Sequence, residues 1–415
     1  MKSHLIFAAG TKALDLALNL SIISIIALSG SNLKGSVAAS LIFITLIASL
    51  FGINWGTSAL HHISKKTYNK ENVLSSCYWG CITWSISSSV VLYLILKHTN
   101  LLHLAEIDAS HNVVTGMILF YLSFTIVSSM RTHILLKNGS NTVHYILLIS
   151  RLLMFGFIFT TFKLNILTLN EALTGYVLFW SIQAIAYLFI ARQKIQYFFK
   201  NVKTLPTYIL YASIAQVSIV GSYLIFSSDI LILNLYVSKE NVGNYSLCMD
   251  IILAALAMLQ AMSLVFFNKA DSFSNQGSSW LEVRKIIYTL IGLTVIGSLV
   301  SMIILPILIK TFFGQPYNLA SSLITILIWC IPGHAVSSLL GRFWITNGKM
   351  SQASLWAITI GITNVILNFI LIPVWGVYGA AIASLIASVI SGTVNVIYMV
   401  TLNKALPKSE KKQDQ

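Results

Sequence analysis

Apolar stretches long enough to cross a bilayer alternate with short polar gaps along the whole chain. They fall near residues 4–28, 36–60, 74–97, 113–135, 143–163, 172–191, 207–236, 243–268, 285–311, 318–341, 351–373 and 378–402. A hydrocarbon core of roughly 30 Å takes about 20 apolar residues per helix. The pattern therefore predicts about twelve transmembrane helices and an all-α integral membrane protein. The gaps are short, the longer ones such as 98–112 and 269–284 being under 20 residues, so none can fold into a domain of its own. Any chemistry has to take place inside the bundle.

The cations sort by gap. The N-terminus, every second gap and the C-terminal tail hold nineteen of the 26 lysines and arginines, the other gaps hold Lys34, Lys97, Lys163, Lys239 and Lys310, and two more lie inside spans. Short loops rich in Lys and Arg stay cytoplasmic, which predicts both termini on the cytoplasmic side of a multi-pass protein.

Composition agrees: 9% of residues are charged, 56% are hydrophobic, and mean hydropathy is +0.81. The net charge of +14 is spread over separate inner loops. That distribution attracts anionic lipid headgroups, whereas a nucleic-acid site gathers its charge on one face, so no nucleic-acid partner is expected. Cys77, Cys81, Cys248 and Cys330 lack zinc-ligand spacing, and neither a metal nor a cofactor is expected. The first stretch carries Lys12 and Asp15 and has no good small-residue cleavage site, which predicts a retained helix.

The segment from Arg192 to Pro206 mixes basic residues with Tyr197, Phe198 and Phe199, as an interfacial helix does. Six spans precede it and six follow. The expected organisation is an N-terminal six-helix lobe at 1–198, a C-terminal six-helix lobe at 199–403 and a polar cytoplasmic tail at 404–415, with the lobes around a central cavity. Ser29-Gly-Ser-Asn-Leu-Lys-Gly35 opens span 2 much as Val237-Ser-Lys-Glu-Asn-Val-Gly243 opens span 8. An even number of spans per half puts any symmetry axis along the membrane normal.

Charge inside a bilayer is costly and asks for a reason. Span 1 carries Lys12, Asp15 and Asn19 on one narrow stripe, and span 5 carries Arg151 with His144 two turns below it. Two readings stand side by side. In one, Lys12 and Asp15 neutralise each other and Arg151 bonds a backbone carbonyl. In the other, these groups line a cavity and the cations receive a phosphate-bearing substrate. Asp229 on span 7 and Asp250 on span 8 are candidates for ion coupling or for structural hydrogen bonds. Ile331-Pro-Gly-His334 predicts a kink in span 10, with His334 either relaying protons or bonding the broken turn.

The second half resembles a family. Asp229-Ile-Leu-Ile-Leu-Asn-Leu-Tyr236, followed by Gly243-Asn-Tyr-Ser246, is similar to the span 7–8 signature of bacterial polysaccharide transporters. Phe312-Phe-Gly-Gln-Pro-Tyr-Asn-Leu-Ala320, Asn364-Val-Ile-Leu-Asn368 and Leu371-Ile-Pro-Val-Trp-Gly-Val-Tyr-Gly-Ala-Ala-Ile-Ala383 resemble the C-terminal half of O-antigen and capsule repeat-unit flippases. These belong to the multidrug/oligosaccharidyl-lipid/polysaccharide exporter superfamily. The first half matches mainly by span count, and Ala59-Leu-His-His62 stands where the pattern expects an arginine.

The resemblance implies alternating access across a bacterial inner membrane for a polyprenyl-pyrophosphate-linked oligosaccharide. Lys12 and Arg151 would then engage the pyrophosphate, Asp15 would orient Lys12, and proton or sodium coupling would fall to Asp229, Asp250 or His334. It also implies a polysaccharide polymerase and a chain-length regulator as partners. The alternatives are an ion-coupled exporter of organic cations from the same superfamily, or a membrane-embedded polymerase. An exporter of cations wants an acidic lumen. A polymerase wants paired external carboxylates, for which Glu106 and Asp108 sit in too short a gap.

Overall fold

The computed structural model describes residues 2–64, 68–99, 102, 110–192, 205–274, 280–346 and 350–405. Most of the 192–206 seam, the Glu106–Asp108 pair and the tail beyond 405 lie outside the described residues.

Every regular element among the described residues is helical. The helices are α1 (Lys2–Leu28), α2 (Ser31–Phe51), α3 (Trp55–Ser64), α4 (Lys70–His98), α5 (His111–Asn138), α6 (Ser140–Lys163), α7 (Leu169–Ala191), α8 (Leu205–Phe226), α9 (Ser228–Tyr236), α10 (Lys239–Ser274), α11 (Trp280–Phe313), α12 (Asn318–Leu327), α13 (Cys330–Thr346), α14 (Met350–Trp375) and α15 (Val377–Ala405). Among the described residues eleven helices are long and apolar enough to cross a membrane, and the bent pair Gln315–Leu327 and Cys330–Ser338 brings the number to twelve if it counts as one span. The helix starts follow local chemistry. Asn69 caps α4 by accepting from the Glu71 N–H at 3.0 Å, and Thr168 with Glu171 forms a capping box on α7.

Among the described residues three of the expected spans are broken, and only one break was legible in the sequence. The kink expected at Ile331-Pro-Gly-His334 lies at Ile328–Trp329, where the axis turns by 56°. Proline has no N–H to give, so Pro332 takes a place in the first turn of α13, where that group has no helical partner anyway, and the break precedes it. Span 2, expected to be continuous over 36–60, breaks between Phe51 and Trp55; span 7, expected over 207–236, breaks at Ser227. Carbonyls freed at membrane depth must find donors within the protein. At the span 2 break, Gln216 Nε2 donates to Ser49 O at 2.7 Å, Trp84 Nε1 to Phe51 O at 2.8 Å and Ser129 Oγ to Ile53 O at 3.2 Å. Asn54 then caps α3 through the Thr57 N–H at 3.0 Å.

Packing divides the chain into two compact units, residues 1–223 with 237–243, and residues 224–236 with 244–415. In the first, α1 packs on α6, α6 on α7, and α5 on α4 and α7. In the second, α15 packs on α13 and α14, and α9 rests on α14. Gly376, at φ +55°, makes the tight turn from α14 to α15.

Candidate functional site

In the first unit, the contact between α1 and α6 brings Lys12, Asp15 and Arg151 together. Arg151 Nε donates to Asp15 Oδ1 at 3.0 Å, and Lys12 Nζ lies 3.5 Å from Asp15 Oδ2. Neither sequence reading had this arrangement: one carboxylate serves two cations, and Arg151 has an acidic partner from another helix. Asp15 is buried, Arg151 is 11% exposed at its side chain and Lys12 35%. The three groups together carry one net positive charge. A buried pair of this kind stabilises little against an apolar replacement, while removal of one partner costs about 3–5 kcal/mol.

The guanidinium is held on a second side. Its Cζ lies 3.9 Å from the ring centroid of Phe179 on α7, and Nη1 reaches Met154 Sδ at 3.9 Å. Nothing in the sequence pointed to Phe179, because a buried phenylalanine on an apolar helix reads as core. The other two candidates stand beside this cluster. Asn19, half-buried, lies one turn along α1 from Asp15 without joining the ion pairs. His144, also half-buried, sits two turns from Arg151 within the fields of Arg131, Lys12 and Asp15.

In the second unit, Asp229 is fully buried in the first turn of α9, just after the span 7 break. Free N–H groups and the helix dipole favour a carboxylate there. Its Oδ1 accepts from the Ile230 N–H at 3.0 Å, and its Oδ2 accepts from Ser384 Oγ on α15 at 2.9 Å and from Tyr245 Oη on α10. All these partners are neutral. Tyr245 lies in a motif segment of the sequence and Ser384 directly follows another, yet spacing alone could not show that they meet on one carboxylate.

Asn364 Nδ2 on α14 donates to Leu224 O at 3.1 Å and Ile225 O at 3.3 Å, bonding α14 to the end of α8. One turn further on, Asn368 is fully buried with both amide atoms unbonded. Asn368 stands about 6 Å along α14 from Asn364, on the helix against which α9 rests.

Asp250 is half-buried and lies on another face of α10, five residues or about 140° from Tyr245. His334 is buried with its ring 4.4 Å from that of Phe226. The carbonyl of Ile328 at the kink is met by Ser298 Oγ at 3.2 Å and by the Ile331 N–H. The broken turn is thus satisfied without His334.

No family model matches the sequence. Over 205 residues, 48% of this chain and 43% of the other, it is 23% identical to "Probable low-salt glycan biosynthesis flippase Agl15" of Haloferax volcanii. The alignment thus spans less than half of that protein. Solved structures match over nearly the full chain. A lipid II flippase, MurJ, in an inward closed conformation has a TM-score of 0.71 at 15% identity, covering 98% of this chain and 89% of that one. An inward-facing multidrug resistance MATE family transporter of the MOP superfamily has 0.69 at 11% identity, covering 97% and 100%. The eukaryotic MATE transporter AtDTX14 has 0.65 at 13%, covering 99% and 97%. The fold is the one shared by these flippase and MATE transporter structures.

Proposed function

We propose that this protein is a flippase that moves a polyprenyl-pyrophosphate-linked oligosaccharide across a bacterial inner membrane by alternating access. The observation that carries the reading is the Lys12–Asp15–Arg151 cluster. Two cations share one carboxylate at membrane depth, and after its bond to Asp15 the guanidinium still has terminal N–H groups to offer. A site with a net positive charge suits a pyrophosphate and repels an organic cation. The headgroup would pass through the protein while the polyprenyl chain stays in lipid, and a polymerase and chain-length regulator would receive the product.

The coupling ion is assigned to the second unit. A cation at Asp229 would take one carboxylate oxygen, the hydroxyl oxygens of Ser384 and Tyr245, and the amide oxygen of Asn368. Oxygen ligands around a buried carboxylate suit sodium, and the same carboxylate would serve a proton.

The test is export of oligosaccharide repeat units in cells lacking their own flippase, at matched membrane abundance. Arg151→Ala is expected to abolish export and Arg151→Lys to restore only a fraction. Normal export by Arg151→Ala would remove the substrate site from this cluster. The second reading, an exporter of organic cations, is favoured by one observation: the MATE transporter fits the fold almost as well as the lipid II flippase. It predicts drug resistance in cells expressing the wild type and none in cells expressing Asp15→Asn.

A further inference from the structure

We infer that Phe179 is a positioning residue for Arg151: it fixes the plane of the guanidinium so that the terminal fork meets an oxyanion edge-on. The inference rests on the reading of Arg151 as a pyrophosphate ligand.

A guanidinium is planar and carries five N–H donors, and two constraints are needed to aim it. The bond from Nε to Asp15 Oδ1 at 3.0 Å pins one edge but leaves the plane able to swing about that bond. The face of Phe179, 3.9 Å from Cζ, removes the swing. A cation over an aromatic face is attracted by the ring's quadrupole, and more strongly where water is excluded. With Nε given to Asp15 and Nη1 leaning on a weakly accepting thioether, the other terminal donors are uncommitted among the described residues.

The shelf is itself rigid. Phe179 is 3% exposed and packs in a core cluster with Ile22, Ile26, Met154 and Ile158, and its ring meets Trp180 edge-on at 5.1 Å. Its orientation is set by the packing of α1, α6 and α7, and it passes that order to Arg151. Lysine has neither a plane to stack nor a second edge to bond, which explains why it should restore so little at position 151.

The experiment is isothermal titration of farnesyl pyrophosphate into the full-length protein in lipid nanodiscs, with Phe179→Leu, Phe179→Trp, Arg151→Ala and Arg151→Lys. Leucine keeps the apolar volume and loses the face, while tryptophan keeps the face. Phe179→Leu is expected to bind about tenfold more weakly, Phe179→Trp within about twofold of wild type, and Arg151→Ala not measurably. On the Arg151→Lys background, Phe179→Leu should add nothing, because there is no plane left to fix. Equal binding by Phe179→Leu and wild type, with Arg151→Ala still inactive, overturns the role of Phe179 and leaves the substrate site standing. Equal loss in Phe179→Leu and Phe179→Trp also overturns it, since volume and not the ring face would then be at issue. Undiminished binding by Arg151→Ala defeats both. Should Phe179→Leu fail to accumulate, the Phe179→Trp variant and its cycle with Arg151→Lys decide the matter.

Discussion

Gly35 and Gly243 pack against each other's helices reciprocally. A Cβ on Gly35 would fall 1.9 Å from the carbonyl oxygen of Lys239, and one on Gly243 would fall 2.0 Å from that of Ser31. Each glycine thus faces the residue four before the other, so a local two-fold relates the starts of α2 and α10. The two segments whose likeness was visible in the sequence are the two that touch. Backbones this close leave no room for any side chain.

Alanine at either glycine is therefore expected to lower the melting temperature of the purified protein, by overpacking worth about 1–3 kcal/mol. The double variant should cost less than the sum, because one shift of α2 from α10 relieves both clashes. Thermal melts of the two single variants and the double variant in detergent check this. Additive losses would mean that the glycines are not one contact.

Asp15 serves two cations, so Asp15→Asn should be worse for stability than loss of either cation. It leaves Arg151 and Lys12 without their carboxylate, at a cost of about 3–5 kcal/mol for breaking a buried pair. Asp15→Leu with Arg151→Leu removes both partners and should regain much of that stability, yet export should stay absent. Melting temperature and export measured on the same variants separate the two roles. Export by the double leucine variant would show that the cluster serves packing only.

The helices and their order were legible because each span repeats one simple signal, a run of apolar residues bounded by charge. Breaks were legible only where proline announces one: Pro332 marked span 10, while Gly52-Ile-Asn54 and Ser227 gave no comparable sign. The span 2 break exists because Gln216, Trp84 and Ser129, from three other helices, satisfy its carbonyls. A one-dimensional pattern carries no trace of such long-range donors. The site followed the same rule. Lys12, Asp15 and Arg151 stood out as charges in apolar runs, but that they share one carboxylate depends on how α1 meets α6. Phe179, Tyr245 and Ser384 have the residue types of ordinary core and packing positions and took on meaning only through their neighbours.

Trp84 and Gln216 should be needed for the fold in proportion to the carbonyls they satisfy. Gln216→Leu strands the part-buried carbonyl of Ser49, expected to cost about 1–3 kcal/mol, while Trp84→Phe removes the donor to the exposed Phe51 carbonyl and should cost less. Gly52→Ala should be as harmful by another route, since its Cβ would lie 2.3 Å from Ala48 O. Hydrogen exchange over residues 48–58 is the direct check. Faster exchange confined to the break is expected from the first two variants, and unchanged exchange would show that water can replace both donors.

Asn368 offers the sharpest separation of stability from function in the second unit. A buried amide with no hydrogen bond is a burden to the fold, and replacing it by leucine, which has the same branched skeleton, should leave the melting temperature equal or higher where the larger methyl groups fit. If Asn368 gives its oxygen to a coupling cation beside Asp229, the same change should remove the dependence of export on that cation's gradient. Asp229→Asn should remove it too, while Tyr245→Phe should weaken it and cost about 1.5–3 kcal/mol through the lost bond to a charged group. Export measured in vesicles with sodium or proton gradients imposed separately identifies the ion. A stabilised Asn368→Leu protein that still responds fully to the gradient would place the coupling site elsewhere, with Asp250 and His334 as the next positions to change.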